Sequence, residues 1–281
     1  MIPSRPALRY YGGKWRIAPW IVSHFPSHLN YLELCGGAAS VLLHKPRSKL
    51  ETFNDIDQQV VNFFQVLRDQ PDELMRVLKL TPWSRVEYYQ SHHPPTGDPV
   101  ENARRFFVLS WQSIHGATQW TRSGWRAQKH ADSRSTCAPR DGYDIDHLYQ
   151  VAERFQGVQL ECMDALELFG RGFDSPETLT YFDPPYESAV RSRTDRYKHE
   201  VDDDYHVQAA EALREAEGYV VVSGVASALY AELYEVHGWK RVETDSRGNS
   251  ASVRIEALWL NPRTVQALED SIKELPLFST L

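Results

Sequence analysis

The chain has 281 residues, 42% hydrophobic and 25% charged, with a formal net charge of −7. That length suits one large domain, or one domain carrying an insertion, in a soluble globular protein. No apolar run is long enough to cross a bilayer and the stretch from Met1 to Arg16 lacks a signal-peptide core, so a membrane partner is excluded and a cytoplasmic location expected.

In chain order, the first feature is Tyr10-Tyr11-Gly12-Gly13-Lys14. Two aromatics, two glycines and a lysine suit a cofactor with an aromatic base and a carboxylate, Lys14 pairing with the carboxylate. A surface turn with a solvated lysine is the alternative. The apolar run Tyr31 to Cys35 then reads as a buried strand entering a Gly36-Gly37 turn, with a helix starting over Ala38 to His44. A second strand, Glu51 to Asn54, ends at Asp55. Strand, glycine turn, helix and strand open a doubly wound sheet.

The middle of the chain has a different character. Gln58 to Arg68 has amphipathic helical spacing, and further helices are expected around Ser84–Gln90 and Glu101–Ile114. His92-His93 before Pro94-Pro95 is a polar loop. From His115 to Tyr143 the chain is rich in Gly, Ser, Arg and Trp. Between Asn102 and Arg140 stand seven Lys/Arg and one acid, a charge of +6 that leaves −13 on the rest. A basic segment on an acidic body can meet phosphates through its local field.

Strand patterns return at Val158–Cys162, Thr178–Phe182, Tyr219–Ser223, Lys240–Thr244 and Arg254–Leu260, which with the first two make seven. A helix is expected from Asp204, as its N-cap, to a stop at Gly218. Cys35, Cys137 and Cys162 form no CxxC pair, so neither a disulfide framework nor a metal site is expected.

Two motifs carry chemistry. Gly36-Gly37 at a strand's C-terminal end, with Asp55 closing the next strand 19 residues later, fits a nucleoside cofactor whose ribose hydroxyls donate to Asp55. GxGxxG and GxxxxGK[ST] are absent, which weighs against dinucleotides and triphosphates. Thr178 to Tyr186 delivers Asp183-Pro184-Pro185-Tyr186 at the end of an apolar strand. The prolines fix φ and remove two N–H donors, leaving carbonyls and the Asp183 carboxylate to accept. That cluster beside Tyr186 suits a planar amine on an aromatic ring.

As an ordered set, YYGGKWR (Tyr10–Arg16), LELCGGAAS (Leu32–Ser40), FNDID (Phe53–Asp57), DPPY and RGNSASVRIEALWLN (Arg247–Asn261) resemble the Dam-like family of DNA adenine-N6 methyltransferases, of the phage and bacterial orphan type. The Gly36-Gly37-Ala38-Ala39 turn departs from the GxG turn of many members. The resemblance implies an α/β fold: a Rossmann-like S-adenosylmethionine-dependent methyltransferase with a seven-stranded mixed sheet, residues 1–57 and 150–281, and an inserted, mostly helical target-recognition domain, residues 58–149. It implies S-adenosylmethionine held by Tyr10, Lys14, Glu33, Gly36, Gly37, Asp55, Asp164 and Asp183, and catalysis by Asp183, Pro184, Pro185 and Tyr186 on an adenine flipped out of double-stranded DNA. Arg105, Arg122, Trp125, Arg126 and Lys129 in the insertion, and Arg191, Arg193 and Lys198 after DPPY, are the DNA-binding candidates; Trp111 and Trp120 read as packing residues. A monomer or weak dimer is expected, and a cognate restriction endonuclease is compatible with the reading. The rivals are a methyltransferase acting on cytosine N4, RNA or protein amines, and a catalytically inactive DNA-binding relative.

Overall fold

A computed structural model describes residues 2–114, 116, 124–130, 139, 144–187, 199, 201–247 and 253–273. Among them are the seven expected strands: β1 (Asn30–Glu33), β2 (Leu50–Asn54), β3 (Val158–Glu161), β4 (Thr178–Phe182), β5 (Tyr219–Gly224), β6 (Lys240–Arg247) and β7 (Val253–Leu260). They form one sheet in the order β3-β2-β1-β4-β5-β7-β6. β7 runs antiparallel to both of its neighbours, and the other pairings are parallel. The sheet is therefore mixed.

The strand order reverses between β1 and β4. The chain winds outward through β2 and β3, then returns to lay β4 on the other side of β1. In open α/β sheets such a switch point opens a crevice beyond the carboxyl ends of the strands, where ligands bind. Register fixes what meets there. Glu33 pairs with Tyr181, and Leu34 N–H donates to the Tyr181 carbonyl at 3.0 Å. The glycine turn and the DPPY turn thus leave the sheet side by side.

Side-chain alternation distributes the core over both faces. Tyr31, Phe53, Leu179, Tyr181 and Val221 belong to one apolar cluster; Leu32, Phe182, Val220, Val222 and Trp259 belong to the other. All five residues of β4 are buried, as expected of a central parallel strand. The first cluster is covered by α1 (Ala18–Val22), α2 (Ser40–His44), α3 (Gln58–Asp69), α4 (Pro71–Leu80), α6 (Pro99–Gln112) and α7 (Leu148–Phe155). The helix α5 (Arg85–Gln90) packs on α6. The second cluster is covered by α8 (Ala165–Leu168), α9 (Asp203–Arg214) and α10 (Ala228–Leu233). The last helix, α11 (Pro262–Lys273), follows β7.

The helical segment after β2 does not stand apart from the sheet. Phe64 of α3 packs edge-on to Phe53 of β2 with centroids 5.3 Å apart, and stacks on Phe155 of α7 at 4.4 Å. The far end of α6 is held to the N-terminal segment. Trp111 Nε1 donates to the Ala7 carbonyl at 3.2 Å, and the Arg9 guanidinium donates to the carbonyls of Trp111, Ser113 and Ile114. Trp111 is the packing residue expected from sequence; Trp120 lies outside the described residues.

Two helices differ at their boundaries from the sequence expectation. The helix expected from Asp204 begins at Asp203, because Asp202 takes the extended conformation and its side chain accepts from Tyr205 N–H. Among three consecutive acids, backbone geometry rather than residue type selects the cap. The same helix ends at Arg214, before Gly218. A Cβ at Gly218 would collide with the Ser175 and Thr178 carbonyls, so the glycine permits close backbone approach and is not a helix stop. The helix expected from Ala38 begins at Ser40, since Ala39 adopts the left-handed conformation at φ 56°.

Gly36 is the most tightly enclosed of the described glycines. A Cβ there would overlap the ring of Phe53, which is fully buried and wedged between Phe64 and Phe155. Gly36→Ala is expected to lower stability by about 1–3 kcal/mol, the usual cost of overpacking, in urea denaturation. Combined with Phe53→Leu, the loss should be smaller than the sum of the two single losses.

Candidate active site

A cleft of about 390 Å³ opens beyond the carboxyl ends of β1, β2, β3 and β4. Tyr10, Lys14, Glu33, Gly36, Gly37, Asp55 and Asp164, the residues expected to hold a cofactor, all line it together with Asp183, Pro184, Pro185 and Tyr186. Five aspartates, Glu33 and one lysine are the carboxyl and ammonium groups among its described lining residues. The cleft is therefore electronegative.

The glycine turn shapes one wall. Gly37 adopts φ 51°, and a Cβ on it would press on the Tyr10 ring at 2.9 Å. The Tyr10 ring thus approaches the Gly37 backbone more closely than a side chain there would allow. Gly37 N–H donates to Asp55 Oδ2 at 2.8 Å, and Asp57 N–H donates to Asp55 Oδ1 at 2.8 Å. The Asp55 carboxylate is oriented by both neighbouring turns. The departure at Ala38-Ala39 now has a geometry: Ala39 carries a left-handed turn that glycine adopts at less cost, by about 1–2 kcal/mol.

Asn54 has no counterpart in the sequence reading. Its amide donates to the carbonyls of Leu34 at 2.8 Å and Met163 at 3.0 Å, and its Oδ1 accepts from Met163 N–H at 3.1 Å. One buried side chain thereby ties together the turns after β1, β2 and β3. The position, an amide just before the ribose-type acid, is the signal that could have found it. Asp164 caps α8, its Oδ1 accepting from Leu166 and Glu167 N–H, while its Oδ2 accepts from the Tyr205 hydroxyl at 3.0 Å. Tyr205, on the first turn of α9, also lines the cleft. Nothing near it in sequence marks it.

Lys14 lines the cleft and meets the DPPY turn. Its ammonium forms an ion pair with Asp183 Oδ1 at 2.9 Å, and donates to the Tyr186 hydroxyl at 3.2 Å and the Gly12 carbonyl at 3.2 Å. Two of these contacts are hydrogen bonds and the one to Asp183 is an ion pair. The charge is directed to the DPPY turn. Burial alone would lower the Lys14 pKa, but Asp183, Tyr186 and Glu256 together hold it well above its ordinary value. Burial raises the Asp183 pKa and Glu256 adds to the rise, while Lys14 opposes it.

The Tyr186 hydroxyl donates to both oxygens of Glu256, each at 3.0 Å, and Glu256 Oε2 lies 3.8 Å from Lys14. Glu33 is 2% exposed and accepts from the Tyr31 hydroxyl at 2.7 Å. Burial pushes its pKa up to about 8; the Tyr31 hydrogen bond opposes the shift and Asp183 adds to it.

The expected DNA contacts divide into three groups. Arg105 pairs with Glu101 at 2.6 Å within α6, and Trp125 is half-buried, its Nε1 donating to Gln112 Oε1 at 3.1 Å with Arg85 over its ring. Both side chains make these contacts while remaining partly exposed. Arg126 and Lys129 lie on the segment that Trp125 anchors, with Arg126 N–H donating to the Gln112 carbonyl at 2.7 Å. Arg122, Arg191, Arg193 and Lys198 lie outside the described residues. Among the described residues, no helix is long and apolar enough to cross a membrane, and no group of three or more His, Cys, Asp or Glu could hold a metal ion.

A family model described as D12 class N6 adenine-specific DNA methyltransferase matches residues 10–247. The chain belongs to that family. Its match begins at Tyr10 and takes in the glycine turn, Asp55 and DPPY. DNA adenine methylase of Vibrio cholerae serotype O1 (strain El Tor Inaba N16961) is 22% identical over 194 residues, and that of Escherichia coli K12 is 23% identical over 192 residues. Each match covers 66% of this chain and 66% of the relative, so the chain spans just under two thirds of the length of these relatives.

The Glu33 shift makes a prediction for this member of the family. A carboxyl raised from 4.5 to about 8 contributes stability that is fully present below pH 4.5 and lost as pH rises through 8. Glu33→Gln should therefore gain in thermal midpoint relative to the parent as pH rises, the gap levelling off above pH 8. A gap constant from pH 5 to 9 would contradict the assignment.

Proposed function

We propose that the chain transfers a methyl group from S-adenosylmethionine to N6 of an adenine flipped out of double-stranded DNA. The observation that carries the reading is the Glu33–Tyr181 register, which joins the glycine turn and the DPPY turn in one cleft. The cleft suits the cofactor in three respects. Its volume lies within the range of small-molecule sites. Its excess of carboxylates favours a sulfonium cation. Asp55 closes β2 in the position of a ribose-binding acid, and Asp164, already accepting from a hydroxyl, can accept from an adenine amine.

S-adenosylmethionine supplies an electrophilic methyl group. The residues of this chain act on the base. An amine conjugated to an aromatic ring is a poor nucleophile, because its lone pair is delocalised. Asp183 and the Pro184 carbonyl accept its two N–H groups, which favours a tetrahedral nitrogen and stabilises the positive charge developing on it. Tyr186 offers a ring face for stacking, worth roughly 1–3 kcal/mol against an unstacking cost of a few kcal/mol. Residues 58–149 act as the target-recognition segment, with Arg126 and Lys129 as phosphate contacts, and residues 1–57 and 150–281 carry catalysis.

Tritiated methyl transfer to DNA, RNA and protein, followed by digestion of the labelled DNA to nucleosides, tests the reading. N6-methyladenine is the expected product; N4-methylcytosine or label confined to RNA or protein would refute it. Asp183→Ala should lose methylation by about 10²–10³-fold, the usual cost of removing one preorganised partner of developing charge, while still binding DNA.

A further inference from the structure

β7 reverses the usual logic of a strand. Ile255 is 47% exposed, whereas its neighbour Glu256 is 6% exposed and faces the core on the side of Leu258. A carboxylate is buried only where hydrogen bonds and charge compensate. Both oxygens of Glu256 receive the Tyr186 hydroxyl, and one stands 3.8 Å from the Lys14 ammonium. Glu256 does not line the cleft; it lies behind Tyr186 and Lys14, which do.

We infer that Glu256 is a positioning residue for the methyl-transfer reaction, fixing the Tyr186 ring through its hydroxyl and dividing the Lys14 charge between itself and Asp183. The inference rests on the proposed methyltransferase reading. The phenol has one proton to donate, and Glu256 takes it. With the hydroxyl anchored and Lys14 donating to it from the other side, the plane of the ring is set before a base arrives. The charge argument is separate. One ammonium lies between two carboxylates, so the set carries an excess negative charge. Lys14 orients Asp183 without neutralising it, and the carboxylate keeps its strength as an acceptor from a nitrogen that becomes positive.

The titratable groups acting on Asp183 are Lys14 from the N-terminal segment, Glu33 and Cys35 at the end of β1, Tyr181 of β4, Tyr186, Tyr230 of α10 and Glu256 of β7. Of these, Glu256 is a carboxylate that also contacts Lys14 and Tyr186 directly. Its negative charge raises the Asp183 pKa, so removing it lowers the pH at which Asp183 ionises.

The test compares the full chain with Glu256→Gln and Glu256→Asp, using tritiated S-adenosylmethionine and unmethylated genomic DNA. In Glu256→Gln, kcat should fall tenfold or more while the Kd for S-adenosylmethionine, measured by calorimetry, stays within threefold. The acid limb of the kcat profile should move to lower pH. Glu256→Asp, which keeps the charge, should return the limb to its parental pH. Parental kcat and limb in Glu256→Gln, or a fall in kcat matched by lost cofactor affinity, would overturn the inference. If Glu256→Gln does not fold, Tyr186→Phe decides: it removes the anchored hydroxyl and should lower kcat by a similar factor, whereas full kcat would overturn the proposal. A parent chain that binds S-adenosylmethionine but methylates no DNA would overturn the functional reading and this inference with it; an active parent leaves Glu256 judged by its own variants.

Discussion

The parallel pairing of β1 with β4, with Glu33 opposite Tyr181, is the constraint from which the site follows. A shift of that register by one residue would turn every side chain of one strand to the other face. It would also part the two turns that leave the sheet together. The pairing is protected by burial on both faces. Leu32 and Phe182 pack in one cluster, Tyr31 and Tyr181 in the other, so slippage would strand apolar area on both sides at once. Asn54 extends the same control to β2 and β3 by clasping the turns beyond them.

On that frame sits a densely charged cleft. Buried ions are costly unless paired and hydrogen-bonded, and removing one partner of a buried pair commonly costs about 3–5 kcal/mol. The protein meets the cost by clustering: Lys14 with Asp183, Tyr186 and Glu256 on one wall, Asp55 between two backbone N–H groups on another, and Asp164 over a helix start. Each carboxylate keeps a defined direction before any ligand binds. Such preorganisation is where electrostatic catalysis draws its advantage over water.

Much of this was legible from the residues. All seven strands lie where apolar runs bounded by turn residues put them, because buried strands leave little freedom in composition. DPPY, the glycine turn and Asp55 were legible because each demands particular residue types in sequence order. The misses share a different cause. Glu256 sits in an alternating strand whose hydropathy marks it as solvent-facing, and only the hairpin's position against Tyr186 turns it inward. Tyr205 reaches Asp164 across 41 residues, and the Lys14–Tyr186 contact spans 172. Local pattern carries no information over such distances. Lys14 was identified as a site residue, but its contacts with Asp183 and Tyr186 were not, since a lysine's sequence neighbours do not reveal which groups will meet it.

The Lys14–Tyr186–Glu256 assembly draws on a segment near the start of the chain, on the turn after β4 and on β7 near its end. A ribosome delivers these pieces in order, Lys14 well before Glu256. Contacts so distant along the chain are also slow to close by diffusion. Until β7 pairs between β5 and β6, Tyr186 lacks its anchor and Lys14 lacks one of its two carboxylates. Completion of the sheet is thus what brings the Lys14–Tyr186–Glu256 assembly together.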